Sequence, residues 1–223
     1  MKKKLFTVVT LLSAVLLNSC KKQEIESLPL ASLMIVNVVN GGGNLLLGTN
    51  VLPVYNNYFQ AYSMPTGSQR VKLLDTADMD QVYYDQTVVL ENGGLYSLFL
   101  TGNRTAVESV IVKEENIPSH TTDAFGARVI NLVDGGAPIS LNLADSANGS
   151  FVPSLSYMAI SNFKEVSSKT IEGDKTFEIR NASTGVLLTT FTVPGFDLPR
   201  FRNITLVVAG IAGSEFIIRI NNY

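Results

Sequence analysis

The sequence predicts an all-β protein: two tandem antiparallel immunoglobulin-like β-sandwiches of about seven strands each, behind a lipoprotein signal peptide. Three observations carry this. Beyond residue 31 the apolar residues fall in short runs broken by glycine, proline, asparagine and aspartate, with no helical period sustained over ten positions. Alternation with a period of two is visible in Phe177-Glu178-Ile179-Arg180 and in Phe216-Ile217-Ile218-Arg219-Ile220, so one face of each is expected in a core and the other at least partly wet. A nine-residue stretch also occurs twice, 94 positions apart: Ile35-Val36-Asn37-Val38-Val39-Asn40-Gly41-Gly42-Gly43 and Val129-Ile130-Asn131-Leu132-Val133-Asp134-Gly135-Gly136-Ala137. Each copy reads as a buried strand running into a glycine turn, and each is expected to open one β-domain.

Residues 1–19 read as the signal peptide. Lys2, Lys3 and Lys4 form a basic start, and residues 5–17 form an apolar core interrupted only by Thr7, Thr10 and Ser13. That core is too short to cross roughly 30 Å of hydrocarbon, which takes about 20 residues. Cys20, the sole cysteine, comes next, and Leu17-Asn18-Ser19-Cys20 resembles a relaxed bacterial lipobox. The resemblance implies thioether lipidation of Cys20, cleavage before it and acylation of the new amino terminus. The competing reading is a buried structural cysteine in an ordinary secreted protein. Two or three acyl chains, at about 0.8 kcal/mol per buried methylene, anchor a protein stably without a transmembrane helix.

With one cysteine the mature chain has no internal disulfide. Loss of the signal leaves 14 Lys and Arg against 19 Asp and Glu, a formal −5 in place of −2. Without a basic cluster, nucleic acid is not an expected partner. The expected partner is the membrane, through the lipid on Cys20.

Residues 20–30 read as a polar, lipidated tether. The first repeat, residues 31–118, gives strands near 32–39, 44–48, 58–63, 69–75, 81–90, 95–101 and 107–113. Breaks such as Gly41-Gly42-Gly43, Pro65-Thr66-Gly67 and Asn92-Gly93-Gly94 separate them, because glycine reaches positive φ freely and proline presets φ. A linker over residues 119–126 follows, where Ser119, His120, Thr121 and Thr122 interrupt the apolar pattern. The second repeat, residues 127–223, gives strands near 127–133, 138–143, 156–161, 175–180, 186–193, 203–209 and 215–221. The duplication extends past the opening strand: Gly67-Ser68-Gln69-Arg70-Val71-Lys72-Leu73 matches Gly173-Asp174-Lys175-Thr176-Phe177-Glu178-Ile179, and residues 95–102 match residues 203–210. Neither repeat has the cysteine pair or the tryptophan of an antibody domain.

A valine-rich strand ending in Asn and a small-residue turn (residues 36–43) is followed by a tyrosine-bearing segment (58–62). A glycine then precedes an alternating strand (67–73), and a late Tyr-x-Leu-Phe-Leu strand closes the set (96–102). Over residues 31–221 this pattern resembles a family of tandem β-sandwich repeats of unknown function, found in Bacteroidota lipoproteins and other bacterial cell-surface proteins. The sequence departs from that family in having Gly-Gly-Gly and Gly-Gly-Ala-Pro where Ala-Ser-Pro is usual. The family supplies no catalytic residue to carry over. The Cys-Lys-Lys start with Glu24 and Glu26 is similar to tethers of that phylum. It implies the outer membrane, with the cell surface preferred over the periplasmic face. Within the same phylum, Asp75-Thr76-Ala77 and Asp145-Ser146-Ala147 resemble an O-glycosylation sequon, which makes Thr76 and Ser146 candidate modification sites at predicted turns.

Sites for catalysis are scarce in the sequence. A serine or cysteine triad needs a histidine base, and His120, the only histidine, is expected to be exposed in the linker. The same count leaves no zinc site of the usual kind, and no cofactor is expected. Ser161-Asn162-Phe163-Lys164 has Ser-x-x-Lys spacing without the accompanying Ser-Asp-Asn and Lys-Thr-Gly elements. The glycines from 43 to 48 have P-loop spacing but lead into Thr49-Asn50, so they read as a hairpin. Asp75, Asp78 and Asp80 lack the glycine and bidentate glutamate of a calcium loop and read as a solvated turn. The cluster with ligand-binding chemistry is Tyr55, Tyr58 and Tyr62 with Tyr83 and Tyr84, joined by Phe59. Beside Asn56, Asn57 and Gln60, their rings could stack on a sugar, or else pack in the sandwich. The sequence therefore reads as a non-catalytic cell-envelope lipoprotein, a binding or adhesion module for glycan or protein. A fimbrial or other assembly subunit and a periplasmic envelope scaffold are the alternatives.

Overall fold

The computed structural model describes residues 28–222. The signal peptide, the lipidation of Cys20 and most of the tether lie outside the described residues. The rest is strand and turn. The first seven strands are β1 (Leu30–Asn37), β2 (Leu45–Leu47), β3 (Tyr58–Pro65), β4 (Gly67–Asp75), β5 (Val82–Leu90), β6 (Leu95–Asn103) and β7 (Ala106–Lys113). They match the seven expected from turn punctuation. The next eight are β8 (Ala124–Asp134), β9 (Ile139–Leu143), β10 (Val152–Leu155), β11 (Lys164–Ser167), β12 (Lys175–Asn181), β13 (Leu187–Val193), β14 (Asn203–Ile211) and β15 (Ser214–Asn222).

One expected strand is absent. Residues 156–161 form a turn and an irregular segment, and pairing at this edge is limited to an isolated bridge between Ile130 and Ile160 before β11 resumes it. The cause is local. Met158 takes a left-handed φ of 60° and donates its N–H to Asn131 O. The Ser161 hydroxyl then accepts the Val129 N–H (3.0 Å) that a ladder carbonyl would otherwise take.

The duplication seen in the sequence is also a duplication of topology. In the first repeat one sheet has the order β3-β1-β6-β7 and the other β2-β4-β5; in the second they are β11-β8-β14-β15 and β10-β9-β12-β13. In both, the opening strand pairs parallel with the penultimate one (β1 with β6, β8 with β14), and every other pairing is antiparallel. An immunoglobulin constant domain instead joins its first, second, fifth and fourth strands in one sheet and its third, sixth and seventh in the other. Facing sheets are common to both arrangements, but the strand order is not.

The sheets stack in four layers. Leu33, Ile35, Leu98 and Leu100 point from β1 and β6 toward Leu45, Val71 and Leu73 of the outer sheet. Val129, Ile204, Leu206 and Val208 do the same in the second repeat, against Ile139, Leu141, Phe177 and Ile179. A third core lies between the repeats, where Val36, Val38 and Phe99 meet Ile130, Leu132, Val207, Ala209 and Ile220. Strands β6, β8 and β14 are therefore buried on both faces. This is why Leu98-Phe99-Leu100, Val129-Ile130 and Leu206-Val207-Val208 run without alternation, whereas β12 alternates with Phe177 and Ile179 inward. In β15 both faces are covered: Ile217 packs toward the outer core while Phe216, Ile218 and Ile220 line the middle layer.

Polar bonds cross the middle layer too. Thr101 Oγ1 donates to Leu132 O (3.0 Å), Tyr157 OH to Glu108 Oε2 (2.5 Å), and Arg128 pairs with Glu114 (2.7 Å). Because Thr101 and Leu132 lie late in β6 and β8, while Arg128 and Glu114 lie where β8 starts and β7 ends, the repeats stand side by side with like ends together. One end of the stack, here the entry end, holds Leu28, residues 114–123 and residues 194–202. The far end holds residues 37–44, 55–58 and 103–106.

The segment between the repeats makes defined contacts. Strand β8 already begins at Ala124, and residues 114–123 are held by the Glu114 ion pair and by a bond from Asn203 Nδ2 to Pro118 O (2.9 Å). The His120 side chain is only 4% exposed, against the expectation of an exposed residue. It lies between Asn203 Oδ1 (3.0 Å) and Glu165 Oε2 (3.3 Å).

Candidate functional site

The far end of the first repeat is shaped by Asn37. Its side chain is fully buried, accepts the Val39 N–H (3.4 Å) and donates to Gly43 O (2.9 Å), folding the glycine turn back over the end of β1. Asn131 makes the corresponding bond from the Val133 N–H in the second repeat, but donates to Leu155 O at the end of β10 and not to its own glycine turn. Against the Gly42-Gly43 turn sits the loop before β3. Asn56 Nδ2 donates to Gly42 O (2.9 Å), the Asn56 N–H bonds Asn44 Oδ1 (3.0 Å), and the left-handed Asn57 (φ 57°) donates its N–H to Asn37 O.

On this braced loop Tyr55 and Tyr58 are exposed at 57% and 55%. The Tyr58 ring stacks on Phe59, with centroids 5.0 Å apart and 14° between planes. Phe59 in turn packs against the middle core. The loop presents a flat, supported aromatic face beside a free one, the chemistry that stacks on a sugar ring or receives an apolar side chain. Val51 and Leu52 continue the apolar surface along the same loop.

The other sequence-predicted tyrosines do not join them. Tyr62 is 7% exposed and donates its hydroxyl to Leu52 O (2.8 Å). Tyr83 is 5% exposed, and its hydroxyl accepts the Gly43 N–H (2.9 Å) and lies 3.2 Å from Asp75 Oδ2. Both rings are core: Tyr62 lies four residues further into β3 than Tyr58, away from its open end, and Tyr83 takes a buried position in β5. Tyr84 is half-buried at the edge of the first core. Burial pushes the phenols of Tyr62, Tyr83 and Tyr84 up from their ordinary value.

Asp75 is buried, not solvated. It accepts the Ala77 N–H (2.9 Å), and Arg104 lies 3.5 Å from it and 3.8 Å from Asp78, so a cation already faces this carboxylate pair. Its oxygens also fill the space a Cβ on Gly43 would need (2.5 Å), which explains the glycine there. Asp80 is exposed on the same turn. Among the described residues no group of three or more His, Cys, Asp or Glu side chains is placed to hold a metal. Thr76 and Ser146 are both exposed beside turns, Thr76 at the far end and Ser146 at the entry end. The Ser161 hydroxyl is committed to Val129 N–H and Asn162 O, and Lys164 lies over the Phe151 ring (5.7 Å).

The sequence reading missed one constellation. Arg128 in β8 donates to Thr205 Oγ1 (2.8 Å) and Glu114 Oε1 (2.7 Å) beneath the Phe163 ring (4.4 Å). Ser97 bonds the same carboxylate (2.6 Å), and Thr205 donates to Asn222 Oδ1 (2.6 Å). A cleft of about 370 Å³ opens above the pair. The signal was available, since Arg128 is a basic residue set between Ala127 and Val129 in a buried strand.

No protein-family model matches the chain, and no curated protein matches it in sequence. Among solved structures the chain is similar to the C-terminal domain of AlgF from P. aeruginosa, at 19% identity and a TM-score of 0.31, over 40% of this chain and 100% of that one. At that score the likeness carries no conclusion about fold or function.

Proposed function

We propose that the protein is a non-catalytic outer-membrane lipoprotein, anchored through Cys20, whose two tandem β-sandwich repeats form a surface-exposed binding or adhesion module for glycan or protein. The chain fits the Bacteroidota family of tandem β-sandwich repeats that its sequence resembles. The observation that carries the reading is the far-end rim. Tyr55 and the stacked Tyr58–Phe59 pair are held out on a loop braced by Asn56 and Asn57, at the end opposite the point where the chain enters from its tether. Exposed aromatic rings on a braced loop contribute contact area at low entropic cost.

The test is a glycan array probed with the full lipidated protein in detergent and with its Tyr55→Ala/Tyr58→Ala variant. Binding of a glycan class by the first and its loss in the second is the expected result. Equal binding by both would remove the rim from the account. Substituting the core tyrosines Tyr62 or Tyr83 is not an equivalent test, because either change disturbs the fold.

A further inference from the structure

We infer that the entry end is a membrane-seating face, with Ile171 and Phe196 placed in the lipid interface of the membrane that holds Cys20. This rests on the lipoprotein reading and adds to it a contact between the folded repeats and lipid.

Ile171 and Phe196 are the two most exposed large apolar side chains among the described residues, at 94% and 92%. Each sits at the middle of a short 3₁₀ turn, Thr170–Glu172 and Gly195–Asp197. The turns are joined: Gly195 donates its N–H to Asp174 Oδ1 (2.8 Å), and a Cβ on Gly195 would stand 3.2 Å from the Gly173 backbone. Two bulky apolar groups are thus held almost wholly in solvent on braced backbone. Isolated exposed apolar residues are ordinary, but a fixed pair with no protein cover marks a contact surface.

The chain itself names the occupant. It enters the described structure at Leu28, 80% exposed and on the same end of the stack. Leu28 is eight residues from Cys20. Eight residues reach at most about 28 Å when fully extended, so a lipid on Cys20 keeps this end close to the bilayer. Phe201 (54% exposed) adds to the apolar surface. Of the charges beside the tips, Glu172, Asp197 and Asp123 are paired with Lys175, Arg219 and Arg200, while Lys169, Arg202 and Asp174 form no ion pair among the described residues, so the apolar tips rather than a surplus of charge carry the contact.

The experiment uses lipidated full-length protein reconstituted into phosphatidylethanolamine–phosphatidylglycerol vesicles with spin-labelled lipid. A polarity-sensitive fluorophore is placed in turn at Ile171→Cys, Phe196→Cys and, on the rim, Tyr55→Cys; lipidation of the sole native cysteine leaves one reactive thiol in each. Quenching and a blue shift at 171 and 196, absent at 55, are expected. If mass spectrometry finds lipid on Cys20 and the labels at 171 and 196 are no more quenched than that at 55, the seating proposal fails and the lipoprotein reading stands. A Cys20 without lipid overturns both. Cross-linking between copies through position 196 without quenching assigns the tips to a second copy and overturns the lipid contact.

Discussion

The Glu114 carboxylate and the Arg128 guanidinium meet at 2.7 Å between the two repeats, with side chains only 5% and 7% exposed. Glu114 follows the last strand of the first repeat and Arg128 lies in the first strand of the second, so the pair fixes the register of one repeat on the other. A buried pair of this kind gives little net stability, because desolvation offsets attraction. Removing one member leaves an uncompensated buried charge.

Arg128→Met is therefore expected to destabilise the fold by about 3–5 kcal/mol. The double variant Arg128→Met/Glu114→Leu should recover most of that loss. Denaturant unfolding of wild type, both single variants and the double variant measures the coupling. Additive losses would mean the pair does not act as a unit.

Phe99 is fully buried in the layer shared by the repeats, in one cluster with Val36 and Val38 of the first repeat and Ile130, Leu132, Val207, Ala209 and Ile220 of the second. Phe99→Ala should cost about 3–5 kcal/mol. Because it removes packing from both repeats at once, it should lower a single transition without splitting it. Calorimetry would then give a van't Hoff enthalpy equal to the calorimetric one, before and after substitution.

Gly102 and Gly210 occupy matching positions at the ends of β6 and β14, with φ of 77° and 106°. A Cβ on either would stand 2.4 Å from a backbone oxygen, that of Ala106 or Ser214. Alanine at either position should lower stability by at least about 1–3 kcal/mol, through strain plus clash. Gly135→Ala has positive φ but open space around it and should cost less. Thermal melts of the three variants give the ranking.

Tyr157 sets a limit at high pH. Burial, joined by its hydrogen bond to Glu108, pushes the phenol up to about 12 from 10.0. The folded state holds this proton more tightly than the unfolded state. Its contribution is complete below pH 10 and is lost as pH rises toward about 12. Tyr157→Phe should leave a shallower fall in stability over that window, read by urea unfolding at stepped pH. An unchanged slope would assign the alkaline loss to other groups.

Much of the fold was legible because the signals were local. Glycine turns set strand limits in the first repeat almost residue by residue, and the 94-residue spacing of Asn37 and Asn131 marked two units with one topology. Pairing order was not legible, since the parallel contact of β1 with β6 joins residues about sixty positions apart. Nor was the stacking of the repeats read, although Leu98-Phe99-Leu100 and Leu206-Val207-Val208 lack the alternation of a strand with one wet face. For the candidate site, sequence located the aromatic cluster but not the face each ring takes. Tyr58 ends on the rim and Tyr62 in the core because the loop before β3 leaves the first at an open end. Asp75 and His120 looked solvated because the groups that enclose them, Tyr83 with Arg104 and Asn203 with Glu165, come from other elements of the fold.

The central claim is that a lipid on Cys20 holds this protein at the outer membrane with the Tyr55–Tyr58 rim outward. Protease shaving of intact cells, followed by blotting, tests it most directly. The account predicts loss of the full-length signal while a periplasmic control survives. Protection in intact cells, with digestion only after lysis, would contradict it and leave a periplasmic protein.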